Sequence, residues 1–302
     1  MKIGFHFGTT LYRYSPQEQL AVARHIEDCG FDSLWSGDHL AVPAVMPLRD
    51  TARPDLPIHK VDPNSPTAKV VFPADEPMPD IFITFAFMAA ATSSLTFGTA
   101  VYLLPLRHPM ASARAIGTLD LLSGGRLLVG IGLGWMPQEY ARVGVDFASR
   151  GRRMEEYVRI MKMLWTEEEP QFRGEFHSFD SVRFEPKPAT AGGPPLLVGG
   201  ESDIALRRAA AIGDGWCGRQ HTPESLRTHV ARLTTMRTEN GRDKLPFIVQ
   251  SRLTPAATAA DARALQDAGA DHLIISMHEF AKASDALVQI ERSAERILGG
   301  LH

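Results

Sequence analysis

The chain has 302 residues and a mass of 33.2 kDa, with 44% hydrophobic and 22% charged residues, a globular balance that leaves apolar material for a large core. Its 32 basic and 35 acidic residues give a formal net charge of −3, which argues against an electrostatic nucleic-acid or membrane-surface binder. There is no run of ~18 apolar residues to span a bilayer and no signal-peptide layout. The two cysteines, Cys29 and Cys217, make neither a disulfide scaffold nor a zinc site alone, so a reducing cytoplasm is the expected location.

Alternating residues Ile3, Phe5 and Phe7 predict a first strand. Ser15, Pro16 and Glu18 form a capping-box pattern that starts a helix, and Gly30 ends it. Phe31 to Ser36 reads as a second strand. Residues 43 to 79 then hold nine of the 21 prolines. That stretch is expected to be a long loop without regular structure over one face of the molecule. Beyond it the alternation resumes: a helix over Asp80–Thr92, a strand over Leu95–Leu103, a helix over His108–Leu122 closed by Gly124-Gly125, and a strand over Arg126–Gly132. An amphipathic helix over Arg150–Trp165 follows. Residues 172–176 and 182–184 predict a β-hairpin insertion. Three more strand–helix pairs and a final strand over His272–Ser276 with a helix over 279–299 complete the chain. Eight such units in one chain of this length predict a single-domain (β/α)8 barrel, an α/β fold spanning residues 1–302, with a long loop after strand 2.

Active sites of such barrels lie where the strands end. The residues of interest are therefore Phe7-Gly8, Gly37-Asp38-His39, Tyr102 to Pro105, Gly132 to Trp135, Gly199 to Ser202, Cys217-Gly218, Ser251-Arg252 and Met277-His278. The pair Gly199-Gly200, with the hydroxyl of Ser202, fits either an anion cradle at a helix N-terminus or a tight turn. His39 fits proton transfer near neutral pH, or Asp38-His39 is ordinary turn chemistry. Gly130, Gly132 and Gly134 lack a dinucleotide fingerprint, but would let a flat ring approach the backbone. Trp35, Trp135 and Trp216 either wall a pocket for a planar ligand or simply pack, while Trp165 belongs to the core. Arg150 to Arg153 pair with an anion or with Glu155, Glu156 and other surface acids. No H-E-x-x-H, C-x-x-C or G-x-S-x-G occurs, so no metal site and no nucleophile elbow is expected.

The segment from Leu95 to Trp165, with FGTAVYLLPLRHPMASARAIGTLDLLSGGRLLVGIGLGW at its start, together with SLWSGDHL and PPLLVGGESDIALRRAAAIGDGW, resembles the bacterial luciferase-like oxidoreductase family. Within it the chain is most similar to members using coenzyme F420, a 5-deazaflavin, rather than flavin mononucleotide (FMN). The resemblance implies a barrel, often dimeric, that transfers a hydride at the face of a flavin-like ring. It implies ring contacts from Asp38, with His39 as proton donor. A bulge through Thr99, Ala100 and Val101, with a non-proline cis peptide expected at Ala100–Val101, would prop the ring. Gly132, Gly134 and Trp135 would face the ring, Gln138 and Glu139 would touch its edge or tail, and Gly199, Gly200 and Ser202 would bind the phosphate. Trp135 stands where some sugar-oxidising relatives carry an acid, which argues against a sugar-phosphate substrate. The expected partner is a small organic molecule. The alternatives are an FMN-dependent monooxygenase fed by a separate reductase, or a barrel that binds a flavin without turning it over.

Overall fold

The computed structural model describes residues 1–50, 61–62, 64–70, 72–277 and 280–301. The predicted residues 51–60 of the long loop, and His278, lie outside them. In chain order the strands are β1 (Lys2–His6), β2 (Ser33–Ser36), β3 (Leu48–Asp50), β4 (Ala68–Val70), β5 (Thr96–Leu103), β6 (Leu127–Gly132), β7 (Phe172–Arg173), β8 (Ser178–Phe179), β9 (Leu196–Gly199), β10 (Gly215–Gln220), β11 (Ile248–Leu253) and β12 (His272–Ser276). The helices are α1 (Pro16–Asp28), α2 (Ile81–Ala89), α3 (Pro109–Ser123), α4 (Pro137–Arg142), α5 (Arg150–Thr166), α6 (Asp203–Ile212), α7 (Pro223–Glu239), α8 (Ala259–Asp267), α9 (Ala283–Ser293) and α10 (Gly299–Leu301). Eight parallel strands close a barrel in the order β1-β12-β11-β10-β9-β6-β5-β2, the predicted (β/α)8 fold.

Local chemistry sets the helix starts. The Ser15 hydroxyl accepts from the Glu18 N–H while the Glu18 carboxylate accepts from the Ser15 N–H, closing the predicted capping box. Asp80 caps α2, Ser202 caps α6 and Thr222 caps α7 with Pro223 in its first turn. Gly124, at φ 70°, ends α3 in the left-handed conformation that favours glycine.

Four expectations are corrected. The proline-rich stretch contains an antiparallel ribbon, with Leu48 opposite Val70, because three residues on each side pair between prolines. In the insertion Phe172 pairs with Phe179 and Arg173 with Ser178, not with residues 182–184. Glu175 and Phe176 form its turn, since the buried Glu156 carboxylate accepts both their N–H groups. Glu156 is thereby taken from the basic cluster. Among the described residues Arg152 pairs with a surface acid as expected, but with Glu175, while Glu155 pairs with Arg208 instead of the cluster. The last helix is broken: α9 passes into a π-helical turn over Ala294–Leu298.

Trp35 fills the barrel interior with Leu197, Cys217 and Ile274. Its Nε1 donates to Ser33 Oγ at 2.7 Å. Its bulk explains Gly98: a Cβ there would lie 2.2 Å from the Trp35 ring. Trp35 and Trp216 are fully buried, so they pack the barrel; Trp165 lies in the layer between barrel and helices.

Candidate active site at the strand ends

The carboxylate of Asp38, just past β2, is buried and fully engaged. Arg107 Nη1 donates to Oδ2 at 2.6 Å and Nη2 to Oδ1 at 2.8 Å, and the Leu103 N–H donates to Oδ2 at 3.0 Å. The guanidinium lies 4.6 Å from the centre of the Tyr102 ring. Burial, the largest single influence, pushes Arg107 down, but the charge and hydrogen bonds of Asp38, with Tyr102 and Asp80, together hold the guanidinium above its ordinary value. Asp38 thus ties the end of β2 to the end of β5.

His39 stands beside this clamp. Its Nδ1 is 2.9 Å from Glu139 Oε2, while Glu139 Oε1 accepts from the N–H groups of Leu40 at 3.0 Å and Ala41 at 3.3 Å. A carboxylate bound this way accepts, so Nδ1 carries a hydrogen. Nε2 has no hydrogen-bond partner among the described residues. The imidazole ring contacts Phe72 at 5.1 Å and Trp135 at 6.1 Å between centroids. Glu139 is buried on the short helix α4, which Pro137 opens.

Behind these groups the β5–β6 register shifts between Thr99 and Tyr102, and the Ala100–Val101 peptide is cis, at the predicted position. Ala100 and Val101 are half-buried. Thr99 is wholly buried, and its hydroxyl donates to the Gly130 carbonyl at 2.7 Å. Gly130, Gly132 and Gly134 also answer to the chain's own packing. A Cβ at Gly130 would lie 2.0 Å from the Thr99 carbonyl oxygen, and one at Gly132 2.3 Å from Val101 Cγ2. These glycines admit the chain's own bulge. Gly134 (φ 65°) needs its glycine for its backbone, with Leu103 beside it.

A Cβ at Gly199 would lie 2.9 Å from Val101 Cγ1, and Gly200 adopts φ 121°. Ser202 spends its hydroxyl on the Ala205 N–H at 3.3 Å. The Gly200 carbonyl accepts from Trp216 Nε1 at 2.8 Å. Gln138 is exposed, and its carbonyl accepts from Arg142.

Sequence reading gave Arg107 no role, took Glu139 as a contact to the ring edge or tail, and named Arg252 only as a strand-end residue. Arg107 and Glu139 fix Asp38 and His39 from 69 and 100 residues away. Arg252, at the end of β11, has a buried Nε with no hydrogen-bond partner among the described residues. Burial pushes Arg252 below its ordinary value; Cys217 opposes this, Arg219 adds to it and Glu201 opposes it. Its position at a strand end placed Arg252 among the residues of interest, with no charge role attached. Cys217 is no nucleophile: burial raises its thiol to about 11, and Sγ donates to Gln250 Oε1. The histidines also depart from expectation, because folding brings His221 and His229 against Glu201. A cavity of about 560 Å³ opens at the opposite end, lined by Asp32, Thr96, Leu127, Asp271 and His272. Those residues lie at or near strand starts, the face that serves stability in such barrels.

A closed (β/α)8 barrel with a β5 bulge and an imidazole–carboxylate pair at its mouth is the scaffold on which any activity is built. The luciferase-like monooxygenase family model matches residues 1–298, and the chain belongs to that family. An uncharacterized protein of Mycobacterium tuberculosis is 30% identical over 298 residues, covering 97% of this chain and 98% of that one. The coenzyme F420 dependent tetrahydromethanopterin reductase of Methanopyrus kandleri superposes with a TM-score of 0.73 at 14% identity, covering 100% and 99% of the two chains. The oxygenating constituent of 3,6-diketocamphane monooxygenase from Pseudomonas putida, in complex with FMN, superposes with a TM-score of 0.72 at 16% identity, covering 100% and 99%. Both likenesses bear on the fold alone.

Proposed function

We propose that the chain is a coenzyme F420-dependent oxidoreductase acting on a small organic substrate. The observation that carries this reading is the His39–Glu139 pair, which leaves one imidazole nitrogen without a partner among the described residues, beside Trp135 at the barrel mouth. A flavin-like ring with an anionic tail would meet apolar and cationic groups at this mouth. The half-buried Ala100 and Val101 offer an apolar back wall. The Nε of Arg252 is a buried cationic donor without an acceptor among the described residues. In this reading Gly132, Gly134 and Trp135 border the ring, Gly199 and Gly200 approach the tail with their backbone, and Ser202 caps the helix behind it. Gln138 lies at the rim. Asp38 and Thr99 act as positioning residues, because their polar atoms are bound within the protein.

A bound deazaflavin supplies or accepts two electrons as a hydride. His39 gives or takes the accompanying proton at Nε2. Glu139 holds the imidazole in the required tautomer and stabilises its protonated form. Trp135 and Phe72 flank the imidazole and exclude water from it.

His39→Ala is expected to lower turnover about 10²- to 10⁴-fold, the usual weight of general acid–base catalysis, with coenzyme affinity changed less than about threefold. Titration with F420 and FMN, then steady-state kinetics on the hits of a substrate screen, measures both. Normal turnover in the variant removes His39 from the mechanism. Tight binding of FMN alone, with oxygen uptake, would replace the proposal by the second reading, an FMN monooxygenase supplied by a separate reductase. That reading is supported by the family description and by the FMN-bound neighbour. Binding without turnover would leave a carrier of the ring.

The same reading includes a homodimer and a cytoplasmic location. Ile83 and Phe87 on α2 and Leu121 and Leu122 on α3 are large exposed apolar side chains on neighbouring helices, a surface suited to a second copy. Light scattering is expected to report a dimer, and Ile83→Asp with Leu122→Asp a monomer; a monomeric parent chain ends the dimer proposal. Both cysteines are free, as in a reducing compartment, and among the described residues no helix is long and apolar enough to cross a membrane.

A further inference from the structure

Three side chains from separate places in the sequence converge beside the Gly199–Gly200 turn. Glu201 follows that turn, His221 follows β10, and His229 lies on the second turn of α7. Glu201 Oε2 is 3.1 Å from His221 Nε2 and 3.4 Å from His229 Nε2, and all three atoms lie within 4.8 Å of one another. Zinc bonds of about 2.0–2.1 Å in tetrahedral geometry place neighbouring ligand atoms about 3.3–3.4 Å apart. The two observed separations bracket that edge.

The outer hydrogen bonds point the same way. His229 Nδ1 lies 2.8 Å from the Ser225 carbonyl oxygen, which can only accept, so Nδ1 is protonated and donates. His221 Nδ1 lies 2.9 Å from Ser225 Oγ. Both imidazoles are therefore held from behind with Nε2 turned to the carboxylate, the arrangement that orients metal-ligating histidines. The His221 side chain is 7% exposed, and its buried Nε2 faces the Glu201 carboxylate. Trp216 stacks on His229 at 5.4 Å and 9° between ring planes, and also touches His221, which fixes both rings. Two imidazoles and one carboxylate are a donor set for borderline transition ions rather than for magnesium or calcium.

We propose that Glu201, His221 and His229 bind one divalent transition-metal ion, zinc foremost, with the remaining coordination position open to water. This goes beyond the coenzyme reading and does not depend on it, since metal binding is read without turnover.

The experiment uses the full chain stripped with EDTA and titrated with Co²⁺, followed by visible absorption and then by displacement with Zn²⁺. The expected result is one Co²⁺ per chain with the intense visible bands of a tetrahedral site, bleached by one equivalent of Zn²⁺. Glu201→Gln and His229→Gln are each expected to weaken Co²⁺ binding by about 100-fold or more, on the scale by which even outer-shell partners matter. Absence of the visible bands in the unmutated protein would show the cluster to be an internal ion pair and overturn the proposal, whether or not the variants fold. Undiminished affinity in both variants would overturn it as well.

Discussion

Asp38→Ala is expected to destabilise the fold by about 3–5 kcal/mol, the cost of stranding a buried charge without its partner. The Arg107 guanidinium is only 14% exposed and would lose both of its carboxylate contacts. The Leu103 N–H would lose its acceptor in the same step, a further penalty for a buried donor. Urea denaturation with intrinsic tryptophan fluorescence measures the loss. Removing the stranded charge as well, with Asp38→Ala combined with Arg107→Met, is expected to recover a substantial part of it. A loss below about 1 kcal/mol in the single variant would mean that Arg107 escapes to solvent and that the clamp does not hold the site.

The second large effect is acid destabilisation through His272. Its side chain is buried at the start of β12, with Nε2 2.7 Å from Ser33 Oγ. Trp35 Nε1 donates to that same oxygen, so the Ser33 hydroxyl is free to donate to a neutral imidazole. Burial pushes the imidazole down to about 4; the Asp32 charge opposes this, while Lys2 and the N-terminal amine add to it. The unfolded chain takes up this proton near the ordinary histidine value of about 6.5, and the folded chain only near 4. Between these values the unfolded state binds more protons, so stability falls as pH falls. The contribution is complete above pH 6.5 and gone below 4. One proton costs about 1.4 kcal/mol per pH unit, so the whole window amounts to about 3 kcal/mol. Urea midpoints at pH 7.5 and pH 5.0 are expected to differ by about 2 kcal/mol more in the parent than in His272→Gln, whose amide can accept from Ser33 without charging. An equal decline in both proteins would place the acid sensitivity elsewhere. His108, also held below its ordinary value by burial and then by His177, is the next group to test.

The barrel was legible because each of its parts is written locally. The Ser15–Glu18 box, the Asp80 and Thr222 caps and Gly124 mark helix ends through bonds spanning a few residues. Apolar runs such as Leu127–Gly132 and Leu196–Gly199 mark strands buried on both faces. Strand ends, and with them the neighbourhood of the site, follow from that alternation. The cis peptide at Ala100–Val101 was anticipated through family likeness and not through any propensity of alanine or valine. The ribbon at Leu48–Asp50 and Ala68–Val70 was not legible, because pairs of three residues among prolines carry no periodicity.

From the order of its residues alone, the chain dictated the eight alternating strand–helix units of the barrel and where its catalytic end would lie, since caps and periodicity act over one or two turns. Folding alone decided which charges meet. Arg107 closes on Asp38, Glu139 on His39, and Glu201 on His221 and His229, through contacts formed only once the barrel shuts. It also decided that Gly98, Gly130 and Gly132 make room for Trp35, Thr99 and Val101. A missing side chain reads the same in sequence whether the space it leaves is filled by a ligand or by the protein itself, and only packing in three dimensions distinguishes the two.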